Sequence, residues 1–195
     1  MLQNWFSAAR RGQMANPCAH AARRGVPYAV LAAVMLPMAP AWAETSGKDA
    51  QVIVKAIGFQ AAKPSGEVKV AVVFDPAQPD SVKDAEQAKA ALEGAKTPAL
   101  TPLPVLVPVG QLAALETCQL VFVTAATGAA RDAIFEAAKG RKLLTVSTDA
   151  ACAQAGKCVM AVKSEPRVEI LVNRAAAQAS SVEFTTAFRM MISEI

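Results

Sequence analysis

Beyond residue 43 the sequence contains no histidine, no tyrosine and no tryptophan. Its single histidine (His20), single tyrosine (Tyr28) and both tryptophans (Trp5, Trp42) fall in the first 43 positions. That gap excludes a Ser-His-Asp or Cys-His arrangement and a histidine-containing zinc site from the remainder of the chain. No G-x-S-x-G and no glycine-rich phosphate loop occurs. Charge of one sign is lacking as well. Residues 1–43 hold four of the 20 basic residues and none of the 16 acidic ones, so the rest balances at 16 against 16. Nucleic-acid binding through counterion release needs a basic stripe, and these basic residues are scattered singly among acids. The chain therefore reads as neither a nucleic-acid binder nor an enzyme, and no cofactor is expected.

What the first 43 residues do contain is a leader pattern. Arg23 and Arg24 precede an apolar run over residues 26–39, which ends in Ala41-Trp42-Ala43. A basic start, a short apolar centre and an A-x-A end make a secretory signal peptide. The run is short for a bilayer and is broken by Pro37. Cleavage is expected after Ala43, with Met14 as an alternative start. It leaves 152 residues, 44–195, enough for one domain with a real core. Export through the inner membrane implies a periplasmic, oxidising setting.

Along the exported part, apolar β-branched runs alternate with helical periodicity. A helix is expected over residues 47–62. A buried strand (VKVAVVF) follows at 68–74 and a helix at 81–95, capped by Ser81 with Asp84 three residues on. Residues 103–107 read as a strand that its prolines confine to an edge. Residues 111–116 read as a helical turn, 118–124 as a strand, 127–140 as a helix and 142–147 as a strand. A short helix or turn is expected at 149–156 and a hairpin at 159–162 and 168–172. A final helix is expected from 173 to the end, with Phe184, Phe188, Met191 and Ile195 on one face and a second capping box at Ser180 and Glu183. The order predicts a single α/β domain, a mainly parallel sheet flanked by helices with a C-terminal antiparallel hairpin.

Three groups of residues are candidates for function. Cys152 and Cys158 are six apart across a turn, and in an oxidising compartment that spacing suits a disulfide; a redox pair would favour C-x-x-C instead. Cys118 is then left as a buried thiol. Thr124, Thr127 and Gly128 follow a core strand, where hydroxyls and backbone N–H groups can hold a small ligand, or simply cap a strand-to-helix turn. Glu165, Arg167 and Glu169 belong to the hairpin, near an expected sheet edge. They are candidates for partner binding, or an ordinary charged edge that discourages aggregation.

The C-terminal third resembles the YfiR family of small periplasmic proteins. Arg141-Lys142-Leu143-Leu144-Thr145-Val146-Ser147 precedes the Cys152/Cys158 turn with Gly156. Arg167-Val168-Glu169-Ile170-Leu171-Val172-Asn173 follows, then a helix with Val182-Glu183-Phe184-Thr185-Thr186. The family pattern is a leucine-threonine-valine-serine strand, a glycine-bearing turn, an arginine-to-asparagine strand and a helix with paired serines. Here Thr185-Thr186 stands for the serine pair, and residues 57–64 lack the family's tryptophan-proline pair. The resemblance implies a non-catalytic regulator. Such a protein binds the sensor domain of a membrane-anchored diguanylate cyclase, or another membrane sensor, and represses cyclic di-GMP signalling. An outer-membrane-associated protein is a second implied partner, and a homodimer is left open. The rival reading is a single-lobe periplasmic solute-binding protein, because residues 68–92 look like the first strand and helix of such receptors.

Overall fold

The computed structural model describes residues 45–195. The expected leader and its cut after Ala43 lie outside the described residues.

The β-branched runs assemble into one seven-stranded sheet of order β2-β1-β3-β4-β5-β6-β7. Strand β1 (Gly66–Phe74) lies between β2 (Leu100–Pro108) and β3 (Leu120–Val123). Strands β4 (Leu144–Ser147) and β5 (Met160–Lys163) follow, and all of these pair in parallel. Strand β6 (Glu169–Val172) returns antiparallel to β5. A two-residue β7 (Ser193–Glu194) closes the far side, parallel to β6. The architecture is the expected α/β domain with its mainly parallel sheet and antiparallel hairpin.

Alternation of side chains divides the core. Val68, Val70, Val72, Leu120, Phe122, Leu144 and Val146 face helices α1 (Gly47–Ile57), α2 (Pro79–Gly94) and the C-terminal segment. Ala71, Val73, Val121 and Val123 face the 3-10 segment Val109–Thr117, helix α3 (Arg131–Lys139) and the cysteine turn after α4 (Ala150–Gln154). Both faces are covered, which is why these strands read as continuous apolar runs. Phe122, with no exposed surface, contributes about 1.5–3 kcal/mol by its burial.

Strand β2 is the edge that its prolines require. Gly66 N–H donates to Ala99 O at 2.9 Å. A parallel ladder alternates, so odd-numbered residues of β2 serve β1 and even-numbered ones face outward. Pro102, Pro104 and Pro108 are all even and remove only donors that point away from the sheet.

Four expectations are corrected. Helix α1 stops at Ile57 rather than 62, because Gly58 ends it and Phe59 turns to stack on Phe188 with ring centroids 5.2 Å apart. Helix α2 begins at Pro79, whose fixed φ suits a first helical position. Ser81 therefore sits inside the helix and is not its cap. Helix α3 begins at Arg131, not 127, because Gly128 (φ +47°, ψ −120°) interrupts the preceding 3-10 segment Ala125–Ala130. The last helix is not continuous. It divides into α5 (Arg174–Ala179) and α6 (Thr186–Arg189), separated where Ser181 adopts φ +51°, and the chain ends in β7. Ser180 closes α5 instead of opening a new helix. Phe188 is buried, whereas Met191 and Ile195 are exposed.

Candidate functional site

The hairpin turn between β5 and β6 is held from a distance. Ser46 and Asp49 form a capping box at the start of α1: Ser46 Oγ accepts from Asp49 N–H at 3.1 Å, and Asp49 Oδ2 accepts from Ser46 N–H at 3.0 Å. The other carboxylate oxygen, Oδ1, accepts from Ser164 N–H at 2.7 Å, and the hydroxyls of Ser46 and Ser164 lie 3.3 Å apart. Burial pushes the Asp49 carboxyl up, but the hydrogen bonds from Ser164 and Ser46 outweigh it and hold the group below its ordinary range. Next to this anchor, Lys48 Nζ reaches Glu165 at 2.7 Å. That hydrogen bond, with the Glu165 charge, raises the lysine above its ordinary value.

Beyond the anchor the hairpin is open. Glu165 and Arg167 keep 67% and 82% of their side-chain surface in solvent. Arg167 Nε pairs with Glu169 across 2.6 Å, and Val168 between them is 58% exposed. The hairpin is not the last element of the sheet, because β7 pairs with Leu171 and Val172. Among the described residues no strand covers Glu169 or Ile170 on that side. A cavity of about 540 Å³ opens beside the hairpin, with Thr148, Lys163, Arg167, Glu169 and Met191 on its wall.

Cys152 and Cys158 are joined, with Cα atoms 5.3 Å apart and neither residue exposed. The turn is fixed besides the sulfurs. Cys158 N–H donates to Cys152 O at 3.1 Å, and Asn173 Nδ2 donates to Ala153 O at 2.9 Å. Gly156 at φ +69° reverses the chain beneath that asparagine. Asn173 also caps α5 by accepting from Ala176 N–H at 2.9 Å. The bond thus lies in a packed turn that links β5, β6 and α5. Cys118 is a buried free thiol.

Thr124, Thr127 and Gly128 come together after β3, as the turn required. Thr124 Oγ1 donates to Val73 O at 3.1 Å and lies 2.7 Å from Ser81 Oγ; Thr127 Oγ1 donates to Thr124 O at 3.0 Å. The Ala125 N–H donates to Asp84 Oδ2 at 2.9 Å, and Asp84 Oδ1 accepts from the Thr45 hydroxyl at 2.9 Å. Both threonines are almost fully buried, so their hydroxyls serve the chain's own backbone. Gly128 is left facing open space.

Sequence reasoning missed a charged cluster at the C-terminus. Glu194 accepts from Arg189 Nε at 2.6 Å and Nη2 at 3.0 Å, with Arg174 Nε at 3.5 Å. The Arg189 hydrogen bond and the two guanidinium charges hold the Glu194 carboxyl below its ordinary range, against some burial. Residues 189 and 194 are five apart and share no helical face, so no local pattern announces the pair. Among the described residues no three His, Cys, Asp or Glu side chains are placed to hold a metal ion. Among the same residues no helix is long and apolar enough to cross a membrane.

The pattern that defines the YfiR/HmsC-like family matches residues 59–188, and the chain belongs to that family. The match takes in the cysteine turn, the hairpin and the start of α6. Among curated proteins, none matches the chain. Solved structures show the same fold at low identity. The ABC domain in complex with L-Trp from Streptococcus pneumonia superposes with a TM-score of 0.56 at 12% identity, over 75% of this chain and 61% of that one. A conserved domain protein from Vibrio cholerae O1 biovar El Tor gives a TM-score of 0.55 at 12% identity, over 74% and 59%. This chain spans about three fifths of the length of each.

Proposed function

We propose that this member of the YfiR/HmsC-like family is a non-catalytic periplasmic regulator of cyclic di-GMP signalling. It binds the sensor domain of a membrane-anchored diguanylate cyclase and holds that enzyme inactive; an outer-membrane-associated protein relieves the hold. The observation that carries this reading is the family match over residues 59–188, which covers most of the described domain. The hairpin supports it. Glu165 and Arg167 project from a turn that Asp49 fastens to α1, and Glu169 opens the strand that follows. An anchored, charged, solvent-facing turn suits recognition of a protein surface, where charge sets specificity and encounter rate. The exported chain has no histidine to serve as a general base, and its three cysteines are a buried disulfide and a buried thiol. The test is recovery of partners from the cell's own membrane extract with residues 44–195 as bait, followed by mass spectrometry. A cyclase or related membrane sensor recovered in near-equal amount supports the proposal. Recovery of no membrane signalling protein by the folded bait counts against it.

A second reading is favoured by the 540 Å³ cavity and by the likeness in fold to a domain crystallised with L-Trp. In that reading the chain is a single lobe that binds a small solute. Ligands that bind only the folded state raise its stability by mass action. A thermal-shift screen of amino acids and other small solutes that gives no stabilisation removes this reading.

A further inference from the structure

We propose that the last residues of the chain are a displaceable edge strand, and that the groove they fill receives an extended acidic segment of a protein partner in their place. Strand β7 is held by little. It pairs with only two residues of β6, framed by Ile195 N–H to Val172 O at 3.0 Å and Arg174 N–H to Ile195 O at 2.9 Å. Its approach is solvent-facing: Met190, Met191 and Ile195 are 84%, 62% and 47% exposed, and only Ile192 packs partly on the core. The remaining hold is the Glu194 carboxylate on Arg189 and Arg174. Exposed ion pairs of this type shift an equilibrium by about two- to fivefold each, and elements with few ladder bonds and exposed side chains open before the rest of a domain.

The surface beneath is built for a strand with a carboxylate. Arg174 on α5 and Arg189 on α6 come from separate elements and converge on one carboxyl group. They stand beside a cavity of about 350 Å³ whose wall also carries Gln178, Val182, Glu183 and Glu194 itself. With the tail away, Leu171 and Val172 present an unpaired edge that continues into Glu169 and Ile170, which β7 never covers. A partner strand that runs along all four residues of β6 makes a longer ladder than the two-residue tail, and so can replace it. Main-chain pairing supplies affinity, and the paired guanidiniums select an acidic side chain. The tail's own Glu194 is the template for that side chain. This inference stands on the isolated chain and does not require the cyclase reading.

The experiment is amide exchange and peptide titration by NMR on the exported chain, with light scattering. The amides of Ile195 and Arg174 should exchange at least about a hundredfold faster than that of Phe122, as local opening allows. A synthetic peptide with the sequence of residues 188–195 should shift the resonances of Leu171, Val172 and Arg174 saturably. A second peptide with lysine at the position of Glu194 should bind about fivefold more weakly or not at all. Glu194→Lys in the chain should speed tail exchange and tighten binding of the native peptide. Tail amides as slow as Phe122 overturn the proposal. So does a native peptide that leaves the β6 resonances unmoved, or a doubled mass showing that a second copy's tail takes the groove. The wild-type measurements decide the matter even if the variant fails to fold.

Discussion

Asp49 and Ser164 stand 115 positions apart in the chain and are joined by a 2.7 Å hydrogen bond from a backbone N–H to a carboxylate. One side chain therefore starts the first helix and fastens the hairpin turn on the opposite end of the sequence. Asp49→Ala removes the reciprocal cap and leaves the buried Ser164 N–H without a partner. Loss of a cap costs about 1 kcal/mol and an orphaned buried donor about 1–3 kcal/mol, so a total loss of about 2–4 kcal/mol is expected in urea unfolding. Ser164→Ala keeps the N–H donor and should cost far less.

The same carboxylate gives a pH dependence with a definite sign. Its folded-state pKa is lowered, so the unfolded chain binds the proton more tightly. Its contribution is complete above the ordinary aspartate value of about 3.9 and is lost as pH falls through the lower folded value. Unfolding measured from pH 6 down to pH 2 should show a steeper loss of stability in the wild type than in Asp49→Asn. Equal slopes would show that Asp49 is not a source of that dependence.

The disulfide closes a short loop. Chain-entropy arguments give about 2–3 kcal/mol for a loop of this size. Cys152→Ser with Cys158→Ser should lower the unfolding free energy measured in urea by that amount. Because neither cysteine has exposed surface, the native wild type should resist mild reductant and lose the bond only when unfolded. Mass analysis after alkylation under native and denaturing conditions checks both statements. Cys118→Ser serves as the control and should leave the effect of reductant unchanged.

The sheet was legible because its strands carry their burial in composition: β1, β3, β4 and β5 are apolar runs that only two covered faces explain. The prolines of residues 98–108 announced the edge correctly because a missing donor is a local property. Other features depended on distant atoms. Ser46-x-x-Asp49 and Ser81-x-x-Asp84 are the same local pattern, yet only the first is a capping box. Pro79 starts α2 two residues earlier. Ser81 and Asp84 then turn to Asp75 N–H, Thr124, Thr45 and Ala125 N–H. The spacing of Phe184, Phe188, Met191 and Ile195 suits a helix, but α6 covers only Thr186–Arg189, and Phe188 packs between the rings of Phe59 and Phe184. Of the candidate site, the hairpin and the cysteine turn were readable. The arginine clamp on Glu194 was not, because no periodicity links its members.

Ser81 and Thr124 form a buried hydroxyl pair at 2.7 Å, and Ser81 Oγ also accepts the Asp75 N–H at 2.9 Å. Ser81→Ala strands that N–H and takes one partner from Thr124. A loss of about 1–3 kcal/mol is expected. Thr124→Val removes one hydroxyl while Ser81 keeps its bond to Asp75, so its cost should be smaller. The double variant should cost less than the sum, since both members of one bond are then gone. Additive losses in a double-mutant cycle would show that the two hydroxyls are not coupled.

Charge reversal at the hairpin separates recognition from folding. Arg167 is 82% exposed in its side chain and among the described residues pairs only with Glu169, so Arg167→Glu should change stability by no more than about 0.5 kcal/mol. If the turn is the recognition surface, the same variant should recover much less of the membrane partner, because rim charges chiefly set encounter rate and salt dependence. Glu165→Lys adds a second reading of the same turn, since it also breaks the exposed pair with Lys48. Urea curves matching the wild type, together with partner recovery reduced at least severalfold, are the expected result. Undiminished recovery by both variants would move the contact away from this hairpin, to the β6–β7 edge or another face of the sheet.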